Sequence, residues 1–283
     1  MPYILLLLCL TLFSCEIINP EEDIASTIFI NNIELETNPN LGTKSSNITD
    51  AWLYIDDEFL GVYPLPAQIP VLKNGQQEII IEAGIKKNGI TASRMSYPYY
   101  NRFTISKELI PNQTCSISPV VNYNIDNFPY QENFEGNGTI LIVLTDSVNH
   151  SIEKIYSNIN DPILGNTYGE IVISGEEGEV FECRTNSLSL PKDKQVYLEM
   201  DYKSSSNFVV GIYAANSQTT EKTAIIYLNE KEDWNKTYIS LSESISSFGN
   251  AYSNFNIFIG MSRNIEQDSN KLLLDNIRIV YEQ

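Results

Sequence analysis

One histidine, His150, stands in a chain of 283 residues, and it sits in a polar run, Asp146-Ser-Val-Asn-His-Ser151. An imidazole that activates a nucleophile needs a third group to orient it, and that run offers no obvious one. HExxH zinc motifs, Walker loops, CxxC pairs and GxSxG elbows are absent from the sequence. Two carboxylates suffice for glycoside hydrolysis, yet no acid lies in a distinctive setting. The residues therefore point to binding and not to an enzyme. Reading a hydroxyl-rich ligand takes exposed rings for stacking and a few polar groups. The candidate rings are Trp234, Tyr213, Tyr227 and Tyr238, with Glu199 and Asp201 in the segment Tyr197-Leu-Glu-Met-Asp-Tyr202. Alternation there turns Leu198, Met200 and Tyr202 inward and Glu199 and Asp201 outward. Trp234 follows an acidic turn, Glu230-Lys-Glu-Asp233, where it either plugs the end of a sandwich or meets ligand.

Acidic residues outnumber basic ones by 36 to 18, for a formal charge of −18. Phosphate binding needs clustered cations, so nucleic acid and anionic membrane surfaces are excluded as electrostatic partners. Aromatic residues make up 11% of the chain and charged residues only 19%, which favours an all-β, secreted, ligand-facing protein. A single basic, aromatic island interrupts the acidity: Gly84-Ile-Lys-Lys-Asn-Gly89 and Arg94-Met-Ser-Tyr97-Pro-Tyr-Tyr100-Asn-Arg102. Its tyrosines and arginines either form a platform for sugar or peptide or cover a core's edge and pair with local carboxylates.

Four cysteines remain as nucleophiles or ligands. Residues 4–8 are Ile-Leu-Leu-Leu-Leu, and the apolar run continues through Cys9, Leu10, Leu12 and Phe13. A membrane-spanning helix needs roughly 20 apolar residues, so this run has the length of a signal-peptide core instead. Leu12-Phe13-Ser14-Cys15 resembles a bacterial lipobox, which implies cleavage after residue 14 and a lipid on Cys15. The acidic stretch that follows, Glu16-Ile-Ile-Asn-Pro-Glu21-Glu22-Asp23, is similar to the surface-export signals of Gram-negative lipoproteins, or is a plain solvated linker. Cys9 leaves with the signal, so Cys115 and Cys183 are the remaining thiols. They could pair in an oxidising compartment, but spacing cannot show the geometry. Alternation places Cys183 beside Phe181, as a small buried thiol.

These groups must be positioned by β-structure. Pro111, Pro119 and Pro129 punctuate an Asn-rich stretch that divides the chain near residues 124–128. The expected plan is a signal segment 1–14, a tether 15–25, a small β-sandwich at 26–123 and a jelly-roll β-sandwich at 128–283. In the first domain Ser26–Asn31 reads as a strand, and Trp52 and Tyr54 alternate with Leu53 and Ile55. A tight turn at Asp56-Asp57-Glu58 follows, then Phe59–Tyr63 and, after the turn dipeptide Asn74-Gly75, Gln77–Gly84. This block resembles the PEGA-like β-sandwich repeats at Ile55-Asp56, Gly61, Pro64-Leu65, Gly75 and Gly84, which implies a surface scaffold without chemistry of its own.

In the second domain eight strand-like runs lie between Ile140 and Met261, with one helical turn at Ser242–Phe248. The opening Asn133-Phe-Glu-Gly136, the run Trp234-Asn-Lys-Thr-Tyr-Ile-Ser-Leu241 and the closing Leu-Leu-Asp275-Asn-Ile-Arg-Ile resemble the galactose-binding-like jelly rolls used as carbohydrate-binding modules. The resemblance implies adjacent first and last strands. It also implies either a structural calcium ion at Glu132, Glu135 and Asp275, with about six to eight oxygens around it, or simply solvated strand ends.

The sequence thus reads as an outer-membrane lipoprotein, anchored through Cys15 and facing outward, that binds a glycan or another surface ligand. The alternative is an assembly lipoprotein that docks a surface protein and has no small-molecule site. Mass spectrometry of native material is expected to find the chain starting at an acylated Cys15; an intact Met1, or unmodified sulfur at Cys15, would contradict it.

Overall fold

A computed structural model describes residues 22–144, 150–161 and 165–282. Cys15, the expected signal segment and most of the tether lie outside them. The described chain is almost wholly β. Its strands are β1 (Ser26–Ile30), β2 (Glu34–Glu36), β3 (Asp50–Ile55), β4 (Glu58–Pro64), β5 (Ala67–Val71), β6 (Gly75–Lys86), β7 (Arg94–Ser96), β8 (Phe103–Leu109), β9 (Thr114–Ile117) and β10 (Val120–Asn122). There follow β11 (Tyr130–Glu132), β12 (Ile142–Val143), β13 (Ile152–Asp161), β14 (Gly165–Ile173), β15 (Val180–Arg184), β16 (Tyr197–Ser204), β17 (Phe208–Ala215), β18 (Thr220–Leu228), β19 (Lys231–Ser240), β20 (Asn254–Ser262) and β21 (Asn270–Val280). Besides a 3-10 turn at Pro39–Leu41, the described residues hold one short α-helix, α1 (Ser242–Ser247), which buries Ile245.

The N-terminal half packs a five-stranded sheet against two smaller ones. In the large sheet β3 joins β4 to one side of β6, and β7 and β8 share the other side; opposite lie β5-β1-β9 and β10-β2. The β3–β4 turn is tight because Asp56 and Asp57 both take positive φ, at 48° and 62°, the twist a two-residue hairpin loop requires. Ala51, Leu53 and Ile55 of β3 enter the core, while Trp52 and Tyr54 pack their rings on Phe59. For residues 94–102 of the basic island, the structure takes the edge cover. Tyr97, Tyr99 and Tyr100 are buried, Arg94 pairs with Asp50, and Arg102 meets Glu82 at 2.6 Å.

The C-terminal half is a sandwich of a six-stranded sheet, β13-β14-β21-β16-β19 with β11 added to β21, and a five-stranded sheet, β12-β15-β20-β17-β18. The opening strand lies on the closing one, Tyr130 opposite Ile279 and Glu132 opposite Ile277. Cys183 is buried in this core and Cys115 belongs to the N-terminal one; both thiols are free. Burial pushes the Cys183 thiol well above its ordinary range, which leaves it inert.

Glu199 and Asp201 do not face solvent. They are 0% and 2% exposed. Alternation assigned their face correctly, away from the C-terminal core, but the N-terminal half covers that face. Tyr97 donates to Glu199 Oε1 at 2.6 Å and Tyr123 to Oε2 at 2.7 Å, and Lys236 Nζ lies 3.2 Å from Oε2. Ser45 donates to Asp201 at 2.5 Å. Arg278, fully buried, donates to Tyr123 at 3.3 Å and to the Thr43 hydroxyl at 3.2 Å. The β6–β7 turn is tied on as well: Asn88 N–H donates to the Tyr238 carbonyl at 2.8 Å, and Ser240 N–H to Asn88 Oδ1 at 2.8 Å. Around these bonds Tyr97 packs on Tyr197 and Tyr238, with ring centroids 5.3 and 5.0 Å away.

A buried charge stripped of a partner costs about 3–5 kcal/mol, and a lost hydrogen bond to a charged group about 1.5–3 kcal/mol. Glu199→Gln is expected to lower the stability measured by urea unfolding by about 3–5 kcal/mol, and Tyr97→Phe by about 1.5–3 kcal/mol. Losses below about 1 kcal/mol for both, the range of an exposed pair, would show that the junction is wet.

Candidate ligand-binding site

The N-terminal half covers the six-stranded sheet around Glu199, Asp201 and Tyr238, and the outer face of the five-stranded sheet is the one it leaves free. Alternation builds this face strand by strand. Phe181 and Cys183 of β15 point into the core and leave Glu182 and Arg184 outside; Val210, Ile212 and Ala214 of β17 do the same for Val209, Gly211 and Tyr213. On β20 the outward set is Asn256, Phe258 and Gly260. A register shift in β18 between the partners of Val210 and Gly211 returns Tyr227 to the side of Lys222 and Ala224, the re-aiming that bulges provide.

Gly211 is needed here for space. A Cβ on it would lie 2.3 Å from the Phe258 ring and 2.5 Å from the Thr223 carbonyl oxygen. Phe258 can therefore lie flat on the sheet, where it is 2% exposed. Lys222 Nζ lies over its ring, 4.7 Å from the centroid, and reaches Glu182 Oε2 at 2.5 Å. The Tyr213 hydroxyl donates to Glu182 Oε1, and Arg184 sits 5.7 Å from the Tyr213 centroid. Burial opposes the charge on Lys222, but Glu182 and Tyr213 outweigh it and raise the ammonium above its ordinary value. Burial, then the carboxylate of Glu182, raises the Tyr213 phenol as well. The result is a fixed acid–hydroxyl–ammonium set beside a groove of about 390 Å³, rimmed by Tyr227, which is 72% exposed.

Of the four candidate rings, Tyr213 and Tyr227 share this face, but the register sets Tyr227 opposite Val209 and Tyr213 opposite Lys222, and only Tyr227 lines the groove. Trp234 is half-buried on the other sheet, edge-on to Tyr168 with centroids 5.5 Å apart. Tyr238 is not an exposed stacking ring: it is 1% exposed, bonded to Tyr100 at 3.0 Å, and receives the Asn47 N–H at 3.0 Å. It was misread for the same reason as Glu199, because the N-terminal half lies on its face. Arg184, Lys222, Glu182 and Phe258 went unread as site residues. Only the alternation around Phe181 and Cys183 hinted at the first and third.

The three acids of the calcium expectation are not gathered. Glu132 accepts from Phe134 N–H at 2.8 Å and from the Thr139 hydroxyl at 2.7 Å; Glu135 accepts from Asn166 and Thr167 N–H at 2.7 and 3.0 Å. Asp275 accepts from Asn276 N–H at 2.7 Å. Among the described residues no group of three or more His, Cys, Asp or Glu side chains is arranged to hold a metal ion. His150, expected without an orienting partner, has one: its Nε2 lies 3.3 Å from Glu179 Oε2.

No family model matches the chain, and no curated protein matches it. Solved structures of low similarity include a carbohydrate-binding module of the β-sandwich superfamily, with a TM-score of 0.43 and 11% identity over 92% of this chain and 100% of that one. A family 11 carbohydrate-binding module of a Clostridium thermocellum cellulosomal cellulase gives 0.36 and 15% over 53% of this chain and 92% of that one. A xylan-binding module from Paenibacillus barcinonensis gives 0.38 and 11% over 55% and 94%. Likeness at this level describes those proteins and does not locate a site in this one.

Two buried acids of the six-stranded sheet, Glu199 and Asp275, respond oppositely to pH. Burial disfavours charge on Glu199, but Lys236, Arg278 and the two tyrosine hydroxyls outweigh it and hold the carboxyl below its ordinary value. Its contribution is present above the ordinary carboxylate range and lost as pH falls through the lowered value. Burial pushes Asp275 up to about 9, with Asp201 and Glu135 adding to the shift against the Asn276 N–H. The folded state therefore keeps this proton, and stability drains as pH rises from about 4, the unfolded value, towards 9. Asp275→Asn, which fixes the neutral form, is expected to change the melting temperature little at pH 5 and to raise it progressively towards pH 9. A gap that stays constant with pH would contradict a neutral Asp275.

Proposed function

We propose that this chain is a non-catalytic saccharide-binding protein, held at the outer membrane by a lipid on Cys15 and presenting its five-stranded sheet face to ligand. One observation carries the reading: an exposed tyrosine ring, Tyr227, rims a groove whose polar groups are already fixed by Glu182, Lys222 and Tyr213. Stacking needs a flat apolar ring, and hydroxyl recognition needs donors and acceptors that do not have to be ordered on binding. Glu182 offers acceptors and Lys222 a donor. Residues 26–123 and 128–283 act in this reading as two domains, the first a scaffold that closes one side of the second and lifts it from the membrane.

Gel retardation by soluble polysaccharides, xylan and mixed-linkage glucan among them, tests the proposal. Tyr227→Ala is expected to weaken retention at least about tenfold, the scale of a central aromatic anchor, and Lys222→Met to weaken it less. Absence of retardation by every polysaccharide, together with co-purification of a stoichiometric protein partner, would replace this reading with the assembly role.

A further inference from the structure

A second cavity of about 280 Å³ opens where the β6–β7 turn meets the edge of the C-terminal sandwich. Lys86, Asn88 and Thr91 form one wall; Asn229, Lys231 and Tyr227 stand on the other. Three observations bear on what it can hold. In a chain of formal charge −18 its lining contains lysines and no carboxylate. Among the described residues Lys86 and Lys231 form no ion pair, as is also true of Lys107, Lys154, Lys192, Lys194 and Lys203, so neither ammonium of the cavity is committed to a carboxylate. The third is a residue: Thr237 is part of the lining, and its Oγ1, itself shut off from solvent, has no hydrogen-bond partner. A buried hydroxyl without a partner is costly unless something else satisfies it.

The cavity is also held in shape. Asn88 and Gly89 take φ of 58° and 68°, so the turn bends sharply, and Asn88 is bonded to Tyr238 and Ser240 of β19. Its walls come from both halves of the chain, and the buried junction fixes their separation. Tyr227 belongs to the rim of both this cavity and the groove on the five-stranded face, so one chain of sugars can cross the ring from one to the other.

We propose that the cavity is a subsite for a carboxylate-bearing sugar, a uronate unit of an acidic polysaccharide, whose carboxylate is met by Lys86 and Lys231. Asn88 and Asn229 read the ring hydroxyls of the same unit. The inference rests on the saccharide reading of the neighbouring face for the chemistry of its ligand. Bulk attraction does not account for uptake of a polyanion by so acidic a protein; the local absence of carboxylates does.

Polygalacturonate and its fully methyl-esterified, neutral form share one backbone and separate charge from sugar. Isothermal titration of the full chain is expected to show the acid form bound about tenfold or more tightly than the ester, as for a charge-assisted pair, with the preference shrinking as salt is raised. Lys86→Met combined with Lys231→Met should bring the acid form down to the affinity of the ester and leave the ester unchanged. Tyr213→Ala, on the open face only, should weaken both forms equally. Equal affinity of the wild-type chain for acid and ester overturns the uronate subsite while leaving the saccharide reading intact. Binding of neither polymer, with neutral xylan still retained, also overturns it; loss of all polysaccharide binding takes the broader reading with it.

Discussion

Placing Glu199 away from water governs this structure. An ionised carboxylate inside protein is tolerable only when charges and donors surround it. Here Lys236 comes from the neighbouring strand, while both hydroxyls that reach the carboxylate, Tyr97 and Tyr123, come from the other half of the chain. Neither half can satisfy the group alone. The N-terminal sheets would leave a patch of tyrosine rings in water without the sandwich, and the sandwich would expose an apolar and ionic face without them. The junction therefore has the packing of a core, with Tyr197, Tyr238 and Val280 of the C-terminal half inside the N-terminal hydrophobic cluster.

That closure decides where ligand can go. A β-sandwich has two outer faces, and here the N-terminal half covers the one built on β16, β19 and β21. Side chains that would otherwise read ligand there, Glu199, Asp201 and Tyr238, are committed to structure. Tyr213, Tyr227, Lys222 and Arg184 are left on the opposite face, where Gly211 lets Phe258 lie flat beneath them. The β6–β7 turn adds a wall at the sheet edge, so the contact that closes one face also shapes a cavity beside the other.

Much of the architecture was legible because strand alternation is a local signal. The β3–β4 hairpin followed from Asp56-Asp57 and the single turn at Ser242 from its surroundings, while the pairing of opening and closing strands was what the resemblance to galactose-binding-like jelly rolls implied. Strands β2, β5, β7, β8, β9, β10 and β13 escaped; four of them are only three or four residues long, too short for alternation to show. The failures at the site share one cause. Alternation tells which face a residue occupies but not what lies on that face, so Glu199, Asp201 and Tyr238 were read as open. A clue was present in the basic, tyrosine-rich island at 94–102: an acidic protein that gathers such residues needs them against something. Lys222 and Phe258 were invisible for the converse reason, since their meeting depends on a glycine two strands' worth of sequence away.

The two tryptophans, Trp52 in the N-terminal half and Trp234 in the C-terminal half, give each part its own probe. Denaturant unfolding followed by tryptophan fluorescence in Trp52→Phe and in Trp234→Phe tests directly whether the buried carboxylate welds the halves into one cooperative unit. Coincident transitions in the two variants, once each is corrected for its own change in stability by circular dichroism, are what this account predicts. A Trp52 signal that is lost at one denaturant concentration while the Trp234 half stays folded to a clearly higher one would contradict it.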